Sequence, residues 1–288
     1  MIEEERGRIV VSVAALTHAS RNRNEDSFGI GTLDGAFLHA PSEACPTGEH
    51  CAAFTLTHGL VLGVYDGAGG HAAGEVASKD AAHLVQSELA HDPSPTDEDD
   101  LRARLEQALG HANRTLLERS MADARRRGSI STATVAALAG ACAIIAQTGD
   151  SRAYLLRNRR LVQLTRDDRL VAEMVRQGLP NITAEELDAL PSQILTKALG
   201  IRADLEPSLS RVLLQRDDVL LLCSDGLWGI VGAQTIRSIL LRQRAPSIAC
   251  RVLFDEAMRA GGRDDVTIIV ARFSGDGLES PIQTEIGG

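Results

Sequence analysis

The run Val64-Tyr65-Asp66-Gly67-Ala68-Gly69-Gly70-His71 puts an acid where an apolar strand stops. The apolar and β-branched residues Leu60 to Val64 lead into it, and helix-like spacing starts near His71. Asp66 is thus expected at the tip of a buried strand, followed by three glycines in four residues. A carboxylate there is costly unless something positive sits on it. The glycines let backbone approach a ligand closely and expose carbonyl oxygens as hard donors. Asp66 is therefore expected to hold metal ions, with co-ligands elsewhere in the chain.

The 288 residues suit one large domain or two small ones, and 44% apolar with 24% charged is an ordinary globular balance. Aromatics are only 3%, so the core has to be built from Ala, Val, Leu and Ile. A net charge of −9 and a pI near 5.4 argue against general nucleic-acid binding or a polybasic membrane surface. An anionic substrate would need local attraction, because exposed charges are screened beyond roughly 8 Å at physiological salt. No apolar run approaches the ~18 residues of a spanning helix. The opening MIEEERGR has acids and no apolar core, so no secretory signal is expected. Cys45, Cys51, Cys142, Cys223 and Cys250 are odd in number and form no CxxC pair, which fits a cytoplasmic protein with reduced thiols.

Outward from the opening run, strands are expected over 8–16, 27–32, 52–57 (weak) and 60–64. Helical spacing covers 71–91, and a second helix carries Leu101, Leu105, Leu109, Ala112, Leu116 and Met121 on one face. Thr96 with Asp97 to Asp100 reads as its N-cap and acidic first turn, and Arg125-Arg126-Arg127-Gly128 as a solvated end. Hairpins follow at 131–148, around Gly140, and at 151–164, around Asn158. The segment 165–200, broken by Pro180 and Pro191, reads as a surface excursion. Strands at 209–214 and 219–224, helices at 233–242 and 247–259, and a strand at 266–273 complete the pattern, with a loose tail from 274 to 288. Strands in hairpins with helices inserted at two places indicate an α+β fold of antiparallel sheets with segregated helices.

Asp66 in YDGAGG, Asp150 in TGDSR, Asp225 in CSDGLWG and Asp264 in GGRDDVT share one signature, an acid and a glycine beside a strand. Glu25-Asp26 is a further polar pair. Any one of these could be an ordinary turn. Carboxylates without His or Cys suit Mg²⁺ or Mn²⁺. Two such ions about 3.5–4 Å apart can share a carboxylate and a water, which becomes a hydroxide nucleophile near neutral pH. The residues alone support a hard-metal hydrolase acting on an anionic ester.

The ordered set Arg21-x-x-Asn24-Glu25-Asp26, Asp66-Gly67-x-Gly69-Gly70-His71, Gly149-Asp150-Ser151-Arg152, Ser224-Asp225-Gly226-Leu227 and Gly262-Arg263-Asp264-Asp265-x-Thr267 resembles the metal-dependent Ser/Thr protein phosphatases of type 2C, bacterial members in particular. Ser131-Thr132-Ala133, Leu164 to Asp168 and Leu195 to Gly200 fit the same pattern. The resemblance implies a four-layer αββα sandwich, a catalytic domain over 1–273, a flap subdomain over about 165–200 and a loop insertion over about 33–59. It implies that Asp66 bridges two Mn²⁺ or Mg²⁺ ions, with the Gly67 carbonyl on one and Asp225 and Asp264 on the other. Glu25 and Asp26 would hold metal-bound waters, and Asp150 with Asp225 a weaker third ion. Arg21 would grip the substrate phosphate, its planar fork matching two phosphate oxygens. The implied reaction is hydrolysis of phosphoserine and phosphothreonine by direct attack of the metal-bridging hydroxide. The implied partners are phosphorylated proteins made by an opposing Ser/Thr kinase, with no nucleic acid or membrane, and the protein is expected to be a monomer.

The alternatives are a catalytically weak pseudophosphatase that serves as a phosphoprotein- or kinase-binding scaffold, and a hydrolase of metabolite phosphates. Ala68 stands where other members carry His or Met, so a metal-bound water or His71 has to supply the leaving-group proton. Asp265 replaces an asparagine and either adds charge near the metals or faces a loop. Trp228 reads as core under a sheet or as a substrate platform. His39, Cys45, His50, Cys51 and His58 match no common zinc spacing.

Overall fold

The computed structural model describes residues 7–20, 23–35, 37–39, 48–69, 73–90, 95, 97–178 and 194–280. Arg21, Cys45 and His71, singled out above, lie outside the described residues. In chain order the strands are Val10–His18 (β1), Asp26–Gly31 (β2), Phe37–His39 (β3), Gly48–Thr55 (β4) and Leu60–Ala68 (β5). They continue with Ile130–Ser131 (β6), Ala133–Ala139 (β7), Cys142–Thr148 (β8), Arg152–Arg157 (β9) and Arg160–Gln163 (β10). Ser208–Leu213 (β11), Val219–Cys223 (β12) and Val266–Ser274 (β13) complete them. The helices are Ala73–Leu89 (α1), Glu98–Ala122 (α2), Leu170–Arg176 (α3), Asp225–Trp228 (α4), Ala233–Arg242 (α5) and Pro246–Arg259 (α6).

Two antiparallel sheets run β10-β9-β12-β13-β1-β4 and β11-β8-β7-β5-β2-β3, with β6 pairing the end of β5. Most strands read as continuous apolar runs because each sheet is covered on both faces, which an antiparallel sheet with one wet face does not require. In β1, Val11, Val13 and Ala15 point between the sheets, while Ala14 and Leu16 meet Leu253 and Ala257 of α6 in another cluster. In β7, Ala136 and Leu138 join the inter-sheet core, while Val135 and Ala137 pack with Leu105 and Leu109 of α2. The layers are therefore helix, sheet, sheet, helix, as expected.

The structure shifts several local expectations. Strand β5 runs on through Ala68, so Asp66 lies inside the ladder and not at a strand tip. The weak strand expected at 52–57 is β4, eight residues long and paired with β1 along its whole length. Asp97 caps α2, its side chain accepting from the Asp100 amide at 2.9 Å, although Thr96 was the expected cap. Met121 is 77% exposed and does not share the buried face, because α2 ends one residue later. The chain from Ser274 is not loose at first: Leu278 is buried, and the Gly277 amide donates to the Arg8 carbonyl at 3.2 Å. Residues 281–288 lie outside the described set. Among the described residues no helix is long and apolar enough to cross a membrane.

Candidate metal centre

Strands β2 and β5 pair in a register that sets Asp26 directly opposite Asp66. Like charges facing each other across a ladder destabilise a sheet unless a cation lies between or near them. Among the described residues, no Lys, Arg or His is ion-paired with either. Burial, together with the charges of neighbouring acids, raises both carboxyls well above the ordinary aspartate range. At Asp66 those neighbours are Asp26, Asp225, Asp150 and Asp264. The chain thus gathers five aspartates from five separate segments at one place.

Four of these acids are placed by local devices, while Asp264 is exposed. The Asp66 amide donates to the Thr132 hydroxyl at 2.9 Å, and the Thr132 amide returns a bond to the Asp66 carbonyl at 2.8 Å. Thr132 breaks β6 from β7, so the Ser-Thr-Ala motif works as a clamp on Asp66. Asp26 accepts from the Ser224 hydroxyl at 2.6 Å, and Ser224 in turn accepts from the Thr267 amide at 2.9 Å. Asn24 joins this group through Thr17 at 2.8 Å and the Asp26 amide at 3.0 Å. Asp225 opens α4 immediately after β12, and burial followed by the charges of Asp150 and Asp264 pushes its carboxyl up to about 6. Asp150 follows Gly149, whose φ of +100° turns the chain beneath Thr132.

Gly67 is required for a reason that the sequence reading did not foresee. A Cβ there would lie 2.0 Å from the Gly74 carbonyl oxygen, so β5 and the start of α1 touch backbone to backbone. A Cβ on Gly74 would in turn lie 2.9 Å from Glu25 Oε1, which brings Glu25 to the same corner. The Glu25 carbonyl accepts from the Gly67 amide at 3.0 Å. Ala68 offers no proton donor, and Asp265 faces the residues just before β2. Its carboxylate accepts from the Ser20 amide and hydroxyl and from the Glu25 amide, at 2.7, 3.0 and 2.7 Å, which ties Ser20 to Glu25. Its charge also helps to raise Asp26.

Trp228 is neither simple core nor an open platform. It packs against the cluster under the first sheet, its indole N–H donates to the Asp150 carbonyl at 3.0 Å, and its ring carries the guanidinium groups of Arg152 and Arg169. Arg169 ion-pairs with both Asp150 and Asp225, the latter at 2.8 Å. Asp168 binds the Gly149 amide at 3.1 Å, and Arg152 forks onto Asp167 at 2.8 and 2.6 Å. Thr132, Ser224, Gly74, Asp168 and Arg169 were thus not recognised from sequence as parts of this centre. Of these, Thr132, Asp168 and Ser224 stood in motifs already marked, whereas Gly74 and Arg169 carried no signal of their own.

A family model for protein phosphatase 2C matches residues 44–173. The serine/threonine phosphatase stp of Listeria monocytogenes is 34% identical over 208 residues, covering 72% of this chain and 82% of that protein. The chain belongs to the protein phosphatase 2C family. The Mycobacterium tuberculosis phosphatase PstP is 37% identical over 211 residues, but the match spans only 40% of its length. A crystal structure of PstP superposes with a TM-score of 0.72 at 33% identity, over 94% of this chain and 99% of that one. Another solved structure holds the PstP catalytic domain in complex with two manganese ions, with a TM-score of 0.70 at 32% identity, over 92% and 99% of the two chains.

The donor set of this family member fits hard divalent cations: several carboxylates raised first by burial and then by neighbouring acids, lacking enough positive charge to balance them. Among the described residues, no three His, Cys, Asp or Glu side chains converge into a ready-made cage. The charge is gathered, and one guanidinium already stands between two of its members.

Proposed function

We propose that this protein phosphatase 2C member hydrolyses phosphoserine and phosphothreonine in proteins with two divalent ions, Mn²⁺ or Mg²⁺, held by Asp66, the Gly67 carbonyl, Asp225 and Asp264. The observation that carries this reading is the pairing of Asp26 with Asp66 at the focus of three further aspartates. Near neutral pH such a cluster must take up protons or a cation, and hard divalent ions suit its oxygen donors. When bound, the ions supply a water acidic enough to act as nucleophile near neutral pH, together with the positive charge that the net −9 of the chain withholds from an anionic substrate.

The residues of the chain have distinct tasks in this scheme. Asp66, clamped by Thr132, would hold the two cations. Glu25 and Asp26 orient water around them, Asp26 being steered by Ser224. Arg21 is assigned the substrate phosphate on its place in the Arg-x-x-Asn-Glu-Asp motif alone. The manganese pair in PstP supports two ions over one. The substrates are then phosphoproteins produced by a Ser/Thr kinase.

Hydrolysis of an aryl phosphate and of a phosphothreonine peptide, each with Mn²⁺ or Mg²⁺, tests the reading. Wild type is expected to turn over both, while Asp66→Ala and Asp225→Asn lose at least about a hundredfold in kcat/KM. Equal rates in wild type and variants, or no turnover with any divalent ion, would sink it.

A further inference from the structure

Arg169 is the residue just before α3, at the root of the 165–200 excursion. Both legs of that excursion meet there: the Leu170 amide donates to the Ile194 carbonyl at 2.8 Å, and the Thr196 amide to the Asp168 carbonyl at 2.7 Å. From this root the Arg169 side chain reaches inward. Its Nε donates to Asp150 Oδ2 and its Nη2 to Asp225 Oδ2. Its guanidinium carbon lies 4.6 Å from the centroid of the Trp228 ring.

This is not an exposed ion pair of the kind that contributes little. The side chains of Arg169, Asp150 and Asp225 are only 15%, 6% and 18% exposed. The cation is also pre-organised, because a planar fork stacked on an indole has few other orientations. Trp228 is itself fixed by its bond to the Asp150 carbonyl and by Arg152 at 3.4 Å on its ring.

Asp150 and Asp225 are the pair that, by the resemblance described above, would hold a third metal ion. A guanidinium and a dication cannot use the same carboxylate oxygens at once. We propose that Arg169 is a resident cation that takes the place of a third metal ion between Asp150 and Asp225, and so joins the root of the flap to the two-metal centre. The proposal rests on the assignment of Asp66, Asp225 and Asp264 to the two core ions. A built-in charge differs from a bound ion in two ways: its occupancy does not vary with free metal, and it is covalently part of the flap. Arg169 is thereby a positioning residue. It lowers the repulsion between Asp150 and Asp225 and sets where Asp225 can reach toward the core ions.

The test uses the full chain, with Mn²⁺ per chain measured by equilibrium dialysis and elemental analysis, and quenching of Trp228 followed in the same titration. Trp228 is the only tryptophan, so its emission reports directly on this corner. Wild type is expected to bind two ions, and Arg169→Gln three, the added ion giving a further quenching phase that Asp150→Asn in the same background abolishes. Should Arg169→Gln not fold, Asp150→Asn alone decides: with Arg169 in place it is expected to leave the count at two. A wild type that binds three ions and loses one in Asp150→Asn, or a folded Arg169→Gln that still binds two, overturns the proposal. A wild type that binds none, or an Asp66→Ala that keeps both, overturns the core assignment instead, so the two failures are distinguishable.

Discussion

Strand β12 has a buried aspartate at each end, and the two have opposite fates. Before it, Asp218 is 1% exposed and receives a two-armed bond from Arg157 at 2.8 and 2.5 Å, with the Gln215 amide as a third donor at 2.8 Å. After it, Ser224 holds Asp26, 2% exposed, which faces Asp66 across the β2–β5 ladder. One end is a closed ion pair and the other a collection of acids awaiting charge. Burial alone does not separate them. On the proposed assignment, what distinguishes a structural carboxylate from a metal-binding one is whether the protein itself completes the charge balance.

The sharpest way to break this comparison is to neutralise one acid at each end. Asp66→Asn is expected to abolish turnover by at least about a hundredfold while leaving the melting temperature in chelator unchanged or higher, since it removes repulsion. Asp218→Asn is expected to keep kcat/KM within a few-fold and to cost about 2–4 kcal/mol of unfolding free energy, because it leaves Arg157 short of its partner. The figure sits below the full range for a buried pair because the Arg157 side chain keeps 27% of its surface exposed. Denaturant melts of both variants, with and without Mn²⁺, check this. If both lose stability equally in chelator, the distinction fails.

Gly67→Ala probes the functional end without touching a carboxylate. The added methyl would stand 2.0 Å from the Gly74 carbonyl oxygen, which no side-chain rotation can relieve. A loss of about 1–3 kcal/mol is expected, with α1 pushed off β5 and activity falling alongside stability. A stable, active Gly67→Ala would show that the contact between β5 and α1 yields easily.

The same contrast explains what could be read from sequence and what could not. The apolar runs of β1, β5, β7, β12 and β13, and the spacing of α1 and α2, are properties of consecutive residues, so the layers were legible. Asp66, Asp150 and Asp225 were legible because each adjoins a glycine at an apolar strand, and Asp264 through Arg263-Asp264-Asp265-Val266, with two glycines before it. Asp218 in Arg216-Asp217-Asp218-Val219 has nearly the same local dress, and only Arg157, 61 residues away, makes it structural. Pairings made by the fold, such as Asp26 with Asp66 or Arg169 with Asp225, leave no local trace. The N-cap placed at Thr96 and the buried face extended to Met121 were errors of a different kind: helix ends depend on one or two residues, where spacing carries little information.

A pH series sharpens the comparison further. Asp26, Asp66 and Asp150 are raised chiefly by burial, and Asp225 is raised to about 6. A raised carboxyl binds its proton more tightly when folded than when unfolded, so its contribution to stability is present below the ordinary aspartate value and is lost as pH rises through the folded one. Metal-free protein is therefore expected to lose a few °C of melting temperature between about pH 4 and pH 7. Saturating Mn²⁺ should offset that loss, with a stabilising effect that grows with pH. Thermal melts in chelator and in Mn²⁺ across this window check it; a metal-free protein that gains stability over the same span would contradict the sign.

A buried polar group whose bonds are complete tests the stability side alone. Asn113 of α2 is fully buried; its amide nitrogen donates to the Arg202 and Ala203 carbonyls at 2.8 and 3.2 Å, and its oxygen accepts from the Gly200 amide at 2.8 Å. It thereby ties the returning leg of the excursion to the helix layer, in the manner of Asp218 and not of Asp26. Asn113→Ala is expected to cost about 1–3 kcal/mol, since it leaves a buried amide and two carbonyls to find other partners. Asn113→Asp should be worse than Ala, because it keeps the acceptor for Gly200 but turns a carboxylate toward two carbonyl oxygens. Hydrogen exchange at Gly200 measures the local part of the loss, and Mn²⁺ should stabilise wild type and both variants alike, leaving the difference between them unchanged, because the defect is one of hydrogen bonding and not of charge. If Mn²⁺ did rescue Asn113→Asp, Asn113 would belong with the acids after all.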